Sequence, residues 1–224
     1  MYDKFSVSCK IVIDNFAIGC KIAGMISRTL YRSVWQELAS SKAMVFMAGP
    51  RQAGKTTLAQ AIASDFADRL YFNWDIATDR ARLLGDPYFF AAMERHDTAA
   101  PIVVLDEIHK YRDWKNYLKG VYDGFHDKFQ FLVTGSGRLD ACRKGGDSLA
   151  GRYSLFHLWP LTLAELLDRR APLDDFLRDP LAVVPDEGGA AKDAWLRLAR
   201  FSGFPEPYAL ADADVQRRWS TATS

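Results

Sequence analysis

Nine consecutive residues constrain this chain more than any others: Gly49, Pro50, Arg51, Gln52, Ala53, Gly54, Lys55, Thr56 and Thr57. They fit the pattern G-x-x-x-x-G-K-[ST] at every fixed position. The six residues before them, 43–48, form an apolar run of strand length. Leu58, Ala59, Ala61 and Ile62 behind them have helical character. A glycine loop that leaves a buried strand and enters a helix turns backbone N–H groups onto a phosphate. The helix N-terminus adds partial positive charge there and Lys55 a full one. The Thr56 hydroxyl is placed to hold Mg²⁺. A strand must therefore lie before residue 49 and a helix after residue 54, which restricts the fold to an α/β arrangement.

A second stretch carries chemistry. Residues 102–105 are Ile-Val-Val-Leu, as in a strand buried on both faces, and Asp106 and Glu107 follow. Carboxylates at the end of such a strand need a partner. Asp106 has one in a metal bound to phosphate, and Glu107 is placed to accept a proton from an attacking water. A further apolar run, 129–133, ends in Thr134, Gly135 and Ser136. A hydroxyl at that strand end can reach the terminal phosphate or the water, and Thr134 and Ser136 both remain candidates.

Other residues are open to two readings. Asp75 ends the predicted strand 69–74, where it can cap a turn or act near the metal through water. Arg28 and Arg32 read as solvated charges on a helix over 27–39. Residues 111–119 mix aromatic and basic side chains, which suggests nucleic acid. However, Trp114, Leu118, Val121 and Tyr122 fall at helical spacing, so the aromatics are expected to face the core. Arg152 follows a glycine-containing loop at 143–148 and precedes a strand over 153–158. An arginine at the mouth of a phosphate site can neutralise charge developing in the transition state, from its own subunit or a neighbour's, or it can form a surface ion pair. Helical pieces are predicted over 78–84 and 87–95, around 163–167, and over 174–178 and 193–201.

Composition narrows the function. Twenty-nine Lys and Arg against 28 Asp and Glu give a net charge of +1, so the chain has no global nucleic-acid or anionic-membrane footprint. No apolar run reaches membrane-spanning length. The three cysteines, Cys9, Cys20 and Cys142, lack metal-type spacing, and their odd number favours free thiols in a reducing cytoplasm. Residues 1–24 read as an N-terminal extension, with Met25 a candidate start. Residues 25–160 read as the phosphate-loop core and 161–224 as a helical region.

Taken together, several motifs carry a resemblance: Gly-Pro-Arg-Gln-Ala-Gly-Lys-Thr-Thr at 49–57, Leu-Asp-Glu-Ile-His-Lys at 105–110, Thr-Gly-Ser at 134–136, Leu-Ala-Gly-Arg at 149–152, Pro-Leu-Thr at 160–162 and Gly-Phe-Pro-Glu at 203–206. From about Met25 onward the chain resembles the prokaryotic AAA-type ATPases that carry a C-terminal domain of unknown function. The resemblance implies a three-layer P-loop fold around a central parallel five-stranded sheet. In that fold the strand of Asp106 is separated from the phosphate-loop strand by the strand of Thr134. Members usually continue well past the Gly-Phe-Pro-Glu motif, so a fragment or a shortened gene is expected here.

These readings converge on Mg²⁺-dependent ATP hydrolysis coupled to a conformational change. Lys55 and Thr56 take phosphate and metal, Asp106 supports the metal, Glu107 activates water and Arg152 completes the site. The chain is open to homo-oligomerisation, and the sequence names no protein partner. Two alternatives stand beside this reading: a P-loop phosphotransferase that passes phosphate to an acceptor, and a nucleotide-gated binding module with little turnover.

Overall fold

The computed structural model describes residues 28–136, 139, 149–169, 173–182 and 188–223. The extension at 1–24, all three cysteines, the loop 143–148 and the candidate start Met25 lie outside the described residues. The chain divides into two compact units, Thr29–Pro160 and a second made of Arg28 with Leu161–Ser224.

The first unit is a parallel sheet built because its strands are apolar on both sides. It runs α1 (Thr29–Ser41), β1 (Met44–Ala48), α2 (Lys55–Ala63), β2 (Arg69–Asn73), α3 (Ala77–Gly85), β3 (Ile102–Asp106), α4 (Trp114–Phe125), β4 (Gln130–Thr134) and β5 (Ser154–His157). Every residue of β1 and β3 is buried, as expected of strands covered on both faces. The strand order is β2-β3-β4-β1-β5 and every neighbouring pair is parallel. β4 therefore separates β3 from β1, as the resemblance implies.

Alternation along each strand divides the core in two. Val45 and Met47 of β1, Val104 of β3, Leu132 of β4 and Phe156 of β5 pack with Leu58, Ala59 and Ile62 of α2 and with Tyr31 and Trp35 of α1. Phe46, Phe72, Leu105, Phe131 and Val133 point the other way, to Leu118 and Val121 of α4 and to Phe90. Trp114 and Tyr122 pack against this second cluster, so the aromatics of 111–119 do serve the core. Phe90 meets Phe125, Phe129 and Phe131 edge-on at centroid distances of 5.1, 5.4 and 5.5 Å. Each fully buried aromatic of this kind contributes roughly 1.5–3 kcal/mol.

The helix predicted over 87–95 is a correction. Only a 3₁₀ turn forms, Phe89–Ala92, because Pro87 breaks the chain and both phenylalanines are drawn into the core. Arg32 keeps to the surface and pairs with Asp65, but Arg28 does not stay solvated: its Nε donates to Glu165 Oε1 at 2.7 Å, with both side chains buried.

The second unit is helical: α5 (Leu163–Leu166), α6 (Leu173–Arg178), α7 (Ala190–Phe201), α8 (Pro205–Leu210) and α9 (Ala213–Thr223). Thr162 and Glu165 form a reciprocal capping box at the start of α5. α7 packs against α5, α8 and α9. The Arg197 guanidinium donates to the Tyr208 carbonyl at 2.9 Å and lies over the Tyr208 ring.

Candidate nucleotide site

The phosphate loop leaves the carboxyl end of β1, and its first glycine is required by close approach. A Cβ on Gly49 would lie 2.3 Å from the backbone oxygen of Leu158, the residue after β5. Gln52 and Gly54 both take positive φ, 62° and 92°, which turns the chain back so that α2 starts at Lys55. Gly54 has no side chain to cap that first turn, and a helix start of this kind offers its amides to an anion. Ala53 is buried, whereas Pro50 is half-buried and Arg51, Gln52, Thr56 and Thr57 lie at the surface. Lys55 folds back into the loop. Its Nζ donates to the carbonyls of Gly49 at 3.0 Å and Pro50 at 2.7 Å. Burial lowers the Lys55 pKa, opposed by the charges of Glu107 and Asp106.

Parallel pairing brings the ends of β2, β3 and β4 beside this loop. Asp106 is buried and points to the face that α2 covers. Three hydroxyls converge on it. Thr56 Oγ1 donates to Asp106 Oδ2 at 2.9 Å, Tyr71 Oη donates to the same oxygen, and Thr134 Oγ1 donates to Oδ1. Asn73 of β2 stands opposite Asp106 in register, so Tyr71, two residues earlier, reaches it along the diagonal on the same face. Burial, then the Asp106 charge and hydrogen bond, push the Tyr71 phenol far above its ordinary range. Tyr71 therefore remains a neutral donor.

Glu107 takes the left-handed conformation, φ 57°, ψ 21°, while its amide donates to the Thr134 carbonyl at 3.1 Å. A non-glycine residue in that region is strained, and here the strain turns the chain sharply between β3 and the 3₁₀ turn Ile108–Lys110. The Glu107 carboxylate lies 3.1 Å from Lys110 Nζ and 3.8 Å from His109 Nε2. Lys110 also holds Asp75 through both carboxylate oxygens, at 2.9 and 2.6 Å. Asp75 thus serves an ion pair and caps no turn.

Thr134 and Ser136 part company. The Thr134 hydroxyl is buried on Asp106, whereas Ser136 Oγ lies beyond the strand end, 3.2 Å from His109 Nε2. Arg152 is not brought to this site within its own chain. It sits just before β5, at the amino edge of a parallel sheet whose loop and carboxylates occupy the carboxyl edge, and its Nε donates to Asp123 at 2.7 Å.

Tyr71 and His109 are the site residues that sequence reasoning missed. Tyr71 looks like one more aromatic in an apolar strand. His109 stands within the Leu-Asp-Glu-Ile-His-Lys motif, and its place three residues after Asp106 was the available signal.

The model of a family described as the AAA domain matches residues 41–167, more than half of the chain. The chain belongs to that family. The chain is 31% identical over 160 residues to uncharacterized proteins of Mycobacterium tuberculosis and Mycobacterium bovis. Those matches take in 71% of this chain and 32% of each relative, so the chain spans about a third of the length of the curated relatives it matches. The solved structure of a Walker-type ATPase of Pyrococcus abyssi superposes with a TM-score of 0.53, at 12% identity, over 89% of this chain and 70% of that one. That likeness shows the shared P-loop fold. Nucleotide binding is the property that the chain's fold and family support. Among the described residues, no helix is long and apolar enough to cross a membrane.

Proposed function

We propose that this AAA domain binds ATP with Mg²⁺ and hydrolyses it to ADP and phosphate, driving a conformational change. The observation that carries the reading is the Thr56 hydroxyl donating to Asp106 at 2.9 Å, which ties the phosphate loop to the carboxylate strand. A hydroxyl and a carboxylate, both hard oxygen donors, suit Mg²⁺, and Thr56 and Asp106 would hold it. When bound, the metal supplies neutralisation of charge on the β- and γ-phosphate oxygens.

Lys55 trades the Gly49 and Pro50 carbonyls for phosphate oxygens, which attract its ammonium more strongly. Tyr71 joins Thr56 on Asp106 Oδ2 and Thr134 holds Oδ1, which together fix the carboxylate. Glu107 takes a proton from water as the water oxygen bonds to the γ-phosphorus, and the bond from that phosphorus to the bridging oxygen breaks, its electron pair leaving with ADP. Within its own chain Arg152 has no part in these steps.

Glu107→Gln tests the assignment. The amide keeps the shape and loses the proton acceptor, so ATP affinity should stay within about threefold while phosphate release falls about 10²-fold or more. A folded Glu107→Gln protein that releases phosphate at the parental rate would refute the role of Glu107.

A further inference from the structure

His109 is buried beside the proposed water-activating carboxylate, yet the hydrolytic scheme gives it no task. Its Nε2 lies 3.2 Å from Ser136 Oγ and 3.8 Å from Glu107 Oε2. The strand end is shaped around the ring, because a Cβ on Gly135 would lie 2.5 Å from His109 Nδ1. Gly135 thus lets the imidazole lie against the turn between Thr134 and Ser136. The backbone reinforces the same junction through the Glu107 amide on the Thr134 carbonyl at 3.1 Å.

We propose that His109 is a positioning residue that couples the hydroxyl of Ser136 to the carboxylate of Glu107, so that the terminal phosphate of the nucleotide sets the placement of the group that activates water. One ring nitrogen serves either neighbour. When Ser136 donates its proton to a γ-phosphate oxygen, its remaining lone pairs accept from the His109 Nε2–H, and the ring is drawn to Ser136. Glu107 is then left to Lys110 and to the water. With ADP no γ-phosphate oxygen is offered, Ser136 no longer turns its lone pairs to the ring, and the Nε2–H swings to Glu107 Oε2 and holds the carboxylate back from the water. The state of the nucleotide is thereby written into the hydrogen bonding of one buried imidazole.

This inference rests on the hydrolytic reading, so its test includes a measurement that does not depend on turnover. The chain has four histidines, and in a ¹⁵N spectrum of the imidazoles the signal lost in His109→Gln identifies the ring. In the full chain, a non-hydrolysable ATP analogue with Mg²⁺ should move that signal away from its position with ADP. Ser136→Ala, saturated with either nucleotide, should abolish the difference. In turnover, His109→Gln should lower kcat about 10-fold or more with little change in KM, and adding it to Ser136→Ala should cost nothing further. Gly135→Ala, which deletes no functional group, should reproduce the loss by displacing the ring. A His109 signal identical with the ATP analogue and ADP, both shown to be bound, would overturn the coupling, as would fully additive kcat losses. A signal that follows the nucleotide in a chain with no phosphate release would uphold the coupling and refute hydrolysis alone.

Discussion

Replacing Thr134 by valine separates the two hydroxyls at the end of β4. Valine keeps the branched shape in a position with no exposure and exchanges one hydroxyl for a methyl, so packing is preserved. What is removed is the donor to Asp106 Oδ1, while Oδ2 keeps Thr56 at 2.9 Å and Tyr71. A hydrogen bond to a charged group contributes about 1.5–3 kcal/mol, and burial of the added methyl returns about 0.8 kcal/mol. The net loss is about 1–2 kcal/mol. With a urea slope of about 2 kcal/mol per molar, the unfolding midpoint followed by tryptophan fluorescence should fall by about 0.5–1 M. In turnover assays the variant should need more Mg²⁺ for half-maximal activity, because the carboxylate proposed to hold the metal has lost a restraint. Ser136→Ala should show the opposite pattern, an unchanged midpoint with reduced kcat. A Thr134→Val protein of parental stability and parental Mg²⁺ dependence, but with little turnover, would refute the reasoning and return Thr134 to the phosphate.

Lys55→Ala should weaken ATP binding at least about 10-fold by equilibrium titration while the circular dichroism of the fold is kept; parental affinity would count against the phosphate loop. Arg152→Ala should leave turnover within about twofold of the parent, since the guanidinium is held by exposed Asp123 at the far edge of the sheet; a large loss that mixing with Glu107→Gln chains restores would instead place it in a neighbouring subunit's site. Asp68 gives a pH dependence. Burial alone would raise its pKa, but hydrogen bonds from the His96 ring and from the His96 and Asp97 amides outweigh this and hold the carboxyl below its ordinary 3.8. The stabilisation is then complete above about pH 4 and is lost as pH falls through the lowered value. Asp68→Asn should accordingly be less stable than the parent at neutral pH, with the gap closing below pH 3.8 in denaturation titrations.

The sequence shows most clearly those parts whose cause is local. β1, β3 and β4 are readable because a strand buried on both faces must be apolar throughout, and the loop at 49–57 because its glycines answer to steric demands such as the Leu158 carbonyl beside Gly49. The strand order follows from resemblance and not from periodicity, which cannot say that β4 comes between β1 and β3. Residues whose role lies across the sheet stay hidden. Tyr71 sits among apolar neighbours, and only the register of β2 with β3 brings its hydroxyl to Asp106. His109 acquires meaning when Gly135, from a different strand end, makes room for its ring. At the chain end, α8 and α9 are hard to read individually because α9 carries few apolar residues and α8 is a short helix that begins at Pro205.

The position of β1 between β4 and β5 has a consequence for how the polypeptide matures. Met44 is paired with Phe131, and Val45 with Ser154, so both neighbours of the phosphate-loop strand are translated long after the loop itself. Contacts between such distant stretches form slowly, since chain entropy is spent before the pairing repays it. A ribosome that has delivered only the first half of this chain has therefore made the loop's residues without the sheet that shapes them. Lys55 and Asp106 are held together only where β4 lies paired with both β1 and β3. A nucleotide bound at the proposed site would therefore stabilise the chain only in its fully paired form, and would act on it as a folding ligand.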